Sequence, residues 1–168
     1  MKIRKEKSRF SLTLYKKDER IVELVNKTDK KTLAIWAIEC TKRVLPYFEN
    51  KYPEDRRPRN ALETLQTWIN TEVFKMAVIR KVSLDSHAAA REVGEDSAAR
   101  STARAAGQAV ATAHVKTHSI GAAIYALQAI HRATNSSDAN IAVAKEREWQ
   151  YQHLLNVIRR IKDVENNK

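Results

Sequence analysis

From about residue 18 onward, apolar positions recur at intervals of three and four, the spacing that gathers one face of an α-helix. Before that the pattern differs. Phe10, Leu12 and Leu14 alternate with Ser11 and Thr13, a period of two that predicts a short extended segment. No second strand-like run is present to pair with it, so residues 1–17 read as a basic arm and an extended strap. Asp18 is placed to cap a first helix through about Val25, with Ile21, Val22, Leu24 and Val25 on its apolar side. A second helix starts near Asp29 and presents Leu33, Trp36, Ala37, Cys40, Val44 and Leu45. Pro46 has no N–H for the carbonyl four residues back and bends or stops it. After the polar connection KYPEDRRP, Pro58 opens a third helix that runs to about Asn70, with Leu62, Leu65, Trp68 and Ile69 inside.

The stretch from Ser86 to Ala133 is crowded with alanine and free of proline, and alanine has the best intrinsic helix propensity. Small side chains let helix axes approach to about 8 Å, so a tightly packed helical centre is expected here. Thr71 is placed to cap the helix that enters this stretch, with Phe74, Val78, Val82, Ala89 and Val93 on one inward stripe and His87 opposite it. Gly94 ends it, and Asp96 or Ser97 starts the next. That fifth helix is expected to reach about Lys116, with Ala99, Ala103, Ala106, Val110 and His114 inside. A sixth spans about Ser119 to Ala133, and the turn TNSSD leads to a last helix carrying Ile141, Tyr151, Leu154, Leu155, Ile158 and Ile161. The expected fold is all-α: one helical domain over residues 18–165, a compact bundle of six to seven helices with alanine-rich helices at its centre.

Charge adds a direction to this picture. The 168 residues hold 31 Lys and Arg against 20 Asp and Glu, a net charge of +11. The excess is concentrated in residues 1–60, with 17 basic against 9 acidic side chains. A basic half of this kind attracts nucleic acid, an anionic surface or an acidic protein partner. No run approaches the ~20 apolar residues that cross a bilayer, and MKIRKEKSRF has no apolar core behind its charges, so a cytoplasmic protein without a membrane is expected. Cys40 is the single cysteine, which excludes an internal disulfide and a cysteine zinc site, and it is expected to be buried.

Candidate chemistry is confined to a few side chains. His114 and His118 are four residues apart, a spacing that suits two metal ligands on one helix face. The sequence is HVKTH, however, without the glutamate of a zinc hydrolase, and residues 97–137 hold no Asp or Glu to complete a set. No metal or cofactor is therefore expected. His114 reads as a hydrogen-bonded core residue and His118 as a residue at the end of its helix, where an imidazolium favours terminal carbonyls. Gly107, in a stretch that otherwise chooses alanine, implies close approach of a neighbouring helix. Arg100, Arg104 and Gln108 recur along another face, able to bind phosphates or carboxylates or to pair with Glu92, Glu95 and Asp96. Arg56, Arg57 and Arg59 in EDRRPR form a second basic candidate for docking. No nucleophile elbow and no glycine-rich phosphate loop is present, so a catalytic set is not expected.

Three stretches together resemble a family of small all-helical bacterial immunity proteins from toxin–immunity systems: WAIECTKRVLPYFENKYPEDRRPRNALETLQTW, HAAAREV and ARAAGQAVATAHVKTHSIGAAIYA. The resemblance runs through Trp36, Pro46, Arg57, Pro58 and Arg59, then Gly107, His114, His118, Gly121 and Tyr125, and covers about Leu33 to Ala133. Gln108 departs from it, standing where the family commonly has histidine. The resemblance implies an all-α fold and a non-enzymatic binding protein that neutralises a protein toxin by covering part of its surface. It also groups His87, His114, His118 and Tyr125 as a polar cluster. Two readings from the residues alone stand beside it: a nucleic-acid-binding or regulatory protein using the basic N-terminal half, and a metal-dependent enzyme using His114 and His118. Oligomeric state is left open.

Overall fold

A computed structural model describes residues 17–168, and its regular structure is helical throughout. In chain order the helices are α1 Glu19–Lys27, α2 Lys30–Lys42, α3 Leu45–Glu49, α4 Arg57–Thr71, α5 Met76–Glu92, α6 Ala98–Ala111, α7 His118–Ala133 and α8 Ala139–Asn166. The expected strap at Phe10, Leu12 and Leu14 lies outside the described residues. The all-α class holds, with eight helices rather than six or seven among the described residues. The addition is α3, a five-residue helix with proline in its first turn. Pro46 stops the preceding helix, and its fixed φ suits the start of another.

Local chemistry sets the other boundaries. The carboxylate of Asp18 accepts the N–H of Arg20, that of Asp29 the N–H of Thr32, and the Ser97 hydroxyl the N–H of Arg100, each at a helix start. Gly94 adopts φ +74°, the left-handed region that ends α5 at little cost to a residue without a β-carbon. Glu72 takes φ 56° and closes α4, so residues 72–75 are a link rather than the first turn of α5. The stripe expected on α5 is thereby displaced. Phe74 and Val78 are exposed, and the buried face is Ile79, Ser83, Ser86, Ala89 and Ala90. The helix starts five residues after Thr71, so the apolar residues of the link do not share its inward face.

α6 is the axis of the molecule. It packs most extensively against α7 and α5, and also meets α2, α3 and α4. Ala99, Ala103, Ala105, Ala106, Gly107, Ala109 and Val110 are all buried on it, as expected of helices brought close by small side chains. Hydroxyls fasten the close contacts. Ser83 donates to the Gly107 carbonyl at 2.9 Å, Ser86 to that of Ala103 at 2.8 Å, and Thr102 to that of Val44 at 3.0 Å.

On the far side of α2, larger groups fill the space. Val25, Leu33, Trp36, Cys40, Ile120, Leu154 and Val157 form one cluster from α1, α2, α7 and α8. Trp36 is fully buried there, and its indole N–H donates to the Gln150 carbonyl at 3.0 Å. Trp68 is half-buried and packs against the other main cluster, so of the two expected core tryptophans one lies at its edge. Ile141, expected inside, is exposed because Ala139, Val143 and Glu146 take the buried face at the start of α8.

Candidate functional site

A cleft of about 400 Å³ opens between α5, the C-terminal part of α6 and the start of α7. Its walls are Met76, Ile79, Arg80, Ser83, Leu84 and His87 from α5, Gln108 and Ala111 from α6, and His114 and His118 beyond it. Three of the four residues of the expected polar cluster meet here, although none has the local setting that its spacing suggests. α6 ends at Ala111, so His114 falls in the following turns and is exposed rather than buried. His118 opens α7 instead of closing the helix before it, and is half-buried. His87, expected on the outer face of its helix, turns toward α6. Tyr125 is half-buried on α7, near enough to Arg104 to act on it electrostatically, and does not line the cleft.

The polar floor is specific in its hydrogen bonding. A guanidinium N–H of Arg104 donates to His87 Nδ1 at 3.3 Å. Arginine has no acceptor, so His87 carries its own proton on Nε2. Burial, together with Arg104, Arg91 and His118, pushes the pKa of His87 down to about 4, and the ring is neutral at pH 7. His118 donates from Nδ1 to Gln108 Oε1 at 2.8 Å, and burial with the nearby His114 lowers its pKa as well. The Gln108 amide group keeps both its N–H donors.

The two helical glycines make this floor possible. A β-carbon at Gly107 would lie 2.7 Å from His87 Nε2 and 2.9 Å from two ring carbons. One at Gly121 would lie 2.7 Å from Gln108 Oε1. The close neighbour expected at Gly107 is thus an imidazole ring reaching across from α5, and Gly121 does the same for the amide of α6.

Around the floor the rim is apolar. Met76 and Leu84 on the cleft wall are 43% and 53% exposed. Phe74 stacks over His114 with ring centroids 6.2 Å apart, and Val78 and Val115 are exposed beside these residues in the chain. None of the rim residues belongs to the candidates that spacing picks out. Phe74, Met76 and Val78 come from one apolar run, VFKMAV; the spacing assigns Phe74 and Val78 to the inward face, and the structure leaves all three exposed.

The basic candidates divide. Arg56 pairs with Glu63, Arg57 with Asp55 and Glu92, and Arg59 with Glu49. Arg100 reaches Asp96 at 3.5 Å, whereas Glu95 pairs with Lys51. Arg104 therefore has no carboxylate within ion-pair distance among the described residues, and its polar partner is His87. Among those residues, no group of three or more His, Cys, Asp or Glu is arranged to hold a metal ion. No described helix is long and apolar enough to cross a membrane. Ser83, the one hydroxyl on the cleft wall, is engaged by the Gly107 carbonyl. What the arrangement offers is recognition: neutral donors below, a guanidinium at the wall, and apolar surface around them.

No curated protein and no solved structure matches the chain significantly. A family model does, over residues 23–157, which extends past the stretches of resemblance into α1 and takes in much of α8. On that match the chain belongs to the family described as Imm-5 like putative immunity protein.

Proposed function

We propose that this protein neutralises a protein toxin without chemistry of its own, by covering part of the toxin's surface with the rim and cleft of α5–α7. The supporting observation is the exposed apolar rim of Phe74, Met76, Val78 and Leu84 around a cleft with a polar floor. Exposed apolar surface bordered by polar groups marks interaction sites on soluble proteins. Interfaces of this kind draw most of their energy from a few side chains seated in pockets. An immunity protein of this family has a toxin as its partner, and the cytoplasm is the proposed site of the encounter.

The test screens the protein toxins encoded in the neighbourhood of this chain's gene, each with and without this protein. Added protein is expected to form a stoichiometric complex with one of them and abolish its toxicity. Leu84→Asp, which puts a charge on the rim, is expected to weaken the complex by more than roughly tenfold, the size of a central contact. Undiminished toxicity of all of them at saturating protein would refute neutralisation. An unaltered affinity in the variant would move the interface away from this cleft.

A further inference from the structure

The polar floor commits the cleft to one kind of occupant. His87 holds its free proton on Nε2, because Nδ1 accepts from Arg104. Gln108 gives its carbonyl oxygen to His118 and keeps its amide donors. Arg80 stands on the wall with no carboxylate partner among the described residues. These groups offer donors and no anionic acceptor, for the cleft walls include no Asp or Glu. The acids on α5 are taken elsewhere, Asp85 by Lys81 and Glu92 by Arg57.

The glycines show that this donor set has been accommodated at a cost. Each glycine inside a helix forgoes roughly 1 kcal/mol of propensity relative to alanine. Gly107 leaves the volume that the His87 ring fills, and Gly121 the volume filled by the Gln108 amide.

We propose that the floor of this cleft receives a single carboxylate, an aspartate or glutamate side chain of the protein partner, presented between apolar residues that rest on Met76 and Leu84. The inference rests on the cleft being a partner contact. Charge complementarity selects the anion. Neutral donors with one guanidinium suit a monoanion better than a phosphate dianion, which calls for more formal positive charge. The apolar rim selects a side chain carried on a peptide over a free ion.

The experiment follows the His87 ring and Gln108 side-chain amide resonances by NMR in the full chain. The probes are N-acetylated, C-amidated Leu-Glu-Leu, its Leu-Gln-Leu and Leu-Lys-Leu analogues, and hexanoate. Saturable shifts of both residues are expected with Leu-Glu-Leu. Affinity for Leu-Gln-Leu is expected to be at least roughly tenfold weaker, the loss of charge-assisted hydrogen bonds. Arg80→Gln should weaken Leu-Glu-Leu by a comparable factor, while Arg56→Gln, on the EDRRPR segment, should leave it unchanged. Gln108→Glu is nearly isosteric and keeps the acceptor for His118, yet places a negative charge on the floor and should abolish binding. If that variant does not fold, Arg80→Gln decides alone. Absence of shifts, equal affinity for Leu-Gln-Leu or Leu-Lys-Leu, or indifference to Arg80→Gln would overturn the proposal. So would hexanoate binding at least as tightly as the peptide, which would make this a small-molecule site. None of these readings involves the toxin, so failure here and failure of neutralisation are told apart.

Discussion

The two sides of this bundle solve the packing problem differently. Where α2 meets α7 and α8, bulky side chains such as Trp36, Leu33 and Leu154 fill the interior. Polar atoms there serve the fold, as when the Gln150 side chain donates to the Ala123 carbonyl at 2.9 Å and its backbone accepts from Trp36. Where α5 meets α6, the interface is mostly alanine, serine and glycine, with Ile79 and Val110 at one end. It brings His87, Gln108 and His118 together under an open cleft instead of closing over them. The first region is therefore expected to tolerate truncation least. In the second, the glycines leave room for polar side chains, His87 beside Gly107 and Gln108 beside Gly121.

The sharpest test of this contrast is Trp36→Ala. The side chain is fully buried and its N–H is satisfied, so truncation leaves a large cavity and removes the hydrogen bond to the Gln150 carbonyl. A loss of about 3–5 kcal/mol is expected in urea unfolding, the usual range for a large aromatic in a core. A loss under about 1 kcal/mol, ordinary for a random position, would mean that this side is no firmer than the other.

Gly107→Ala tests the second region. The new β-carbon would meet the His87 ring at 2.7–2.9 Å. The ring borders open space and can swing aside, but only by leaving Arg104. Overpacking of this kind costs typically 1–3 kcal/mol, against up to about 1 kcal/mol gained in helix propensity. A net loss of roughly 1 kcal/mol is therefore expected. In a His87→Ala background the obstacle is gone, and the same change should instead stabilise. A double-mutant cycle measures this reversal of sign. A gain in the parent protein would show that the ring is not held where the hydrogen bond places it.

The first region was largely legible in the sequence, and the second was not, for a physical reason. Periodicity reports the burial of apolar side chains, so it found Leu33, Trp36, Cys40 and Leu154, while residue type placed the cap Asp18 and the helix start near Asp29. On α5 and α6 the buried face is written mostly in Ala and Ser, which carry little hydrophobic contrast, and Val73 and Phe74 of the link obscured the true start of α5. Gly107 did signal the close approach of a neighbouring helix, but not that the His87 ring is the group that fills the space. His87 is remote in the chain from His114 and His118, and the crossing of α5 over α6 with the turn after Ala111 brings all three to one cleft. The ion pairs of Arg56, Arg57 and Arg59 are equally tertiary, since Glu92 reaches Arg57 from a different helix.

A smaller effect is expected from pH. The pKa of His87 is about 4 in the folded chain against 6.5 as an ordinary histidine, so between these values the unfolded chain binds a proton that the folded one refuses. The stability tied to the neutral ring is complete above pH 6.5 and declines as pH falls toward 4. The slope stays below about 1.4 kcal/mol per pH unit, the limit for one proton, because the ring borders solvent. His118 contributes in the same direction, and the carboxylates of Asp18, Asp55 and Glu92, held low by their arginine partners, add losses at more acid pH. His87→Gln cannot titrate, so its unfolding free energy at pH 7.5, 6 and 5 should fall less steeply than that of the parent. Parallel slopes would contradict the buried, neutral ring.

The smallest change in stability is expected at the rim. Phe74 precedes α5, is 42% exposed, and stacks on His114, itself exposed. Truncating it uncovers little that water does not already reach, and exposed aromatic contacts are easily replaced by solvent. Phe74→Ala should therefore shift unfolding by no more than about 0.5 kcal/mol, the range of surface substitutions away from special features. Partner affinity is where this side chain should matter, because an aromatic ring at the edge of a polar cleft loses its water only in a complex. Measured together, unfolding and binding separate the two roles. A loss above about 1 kcal/mol in stability would place Phe74 in the fold, as expected of a buried position. The link before α5 would then belong to the firm side of the molecule, and the division between packing and recognition would have to be redrawn around it.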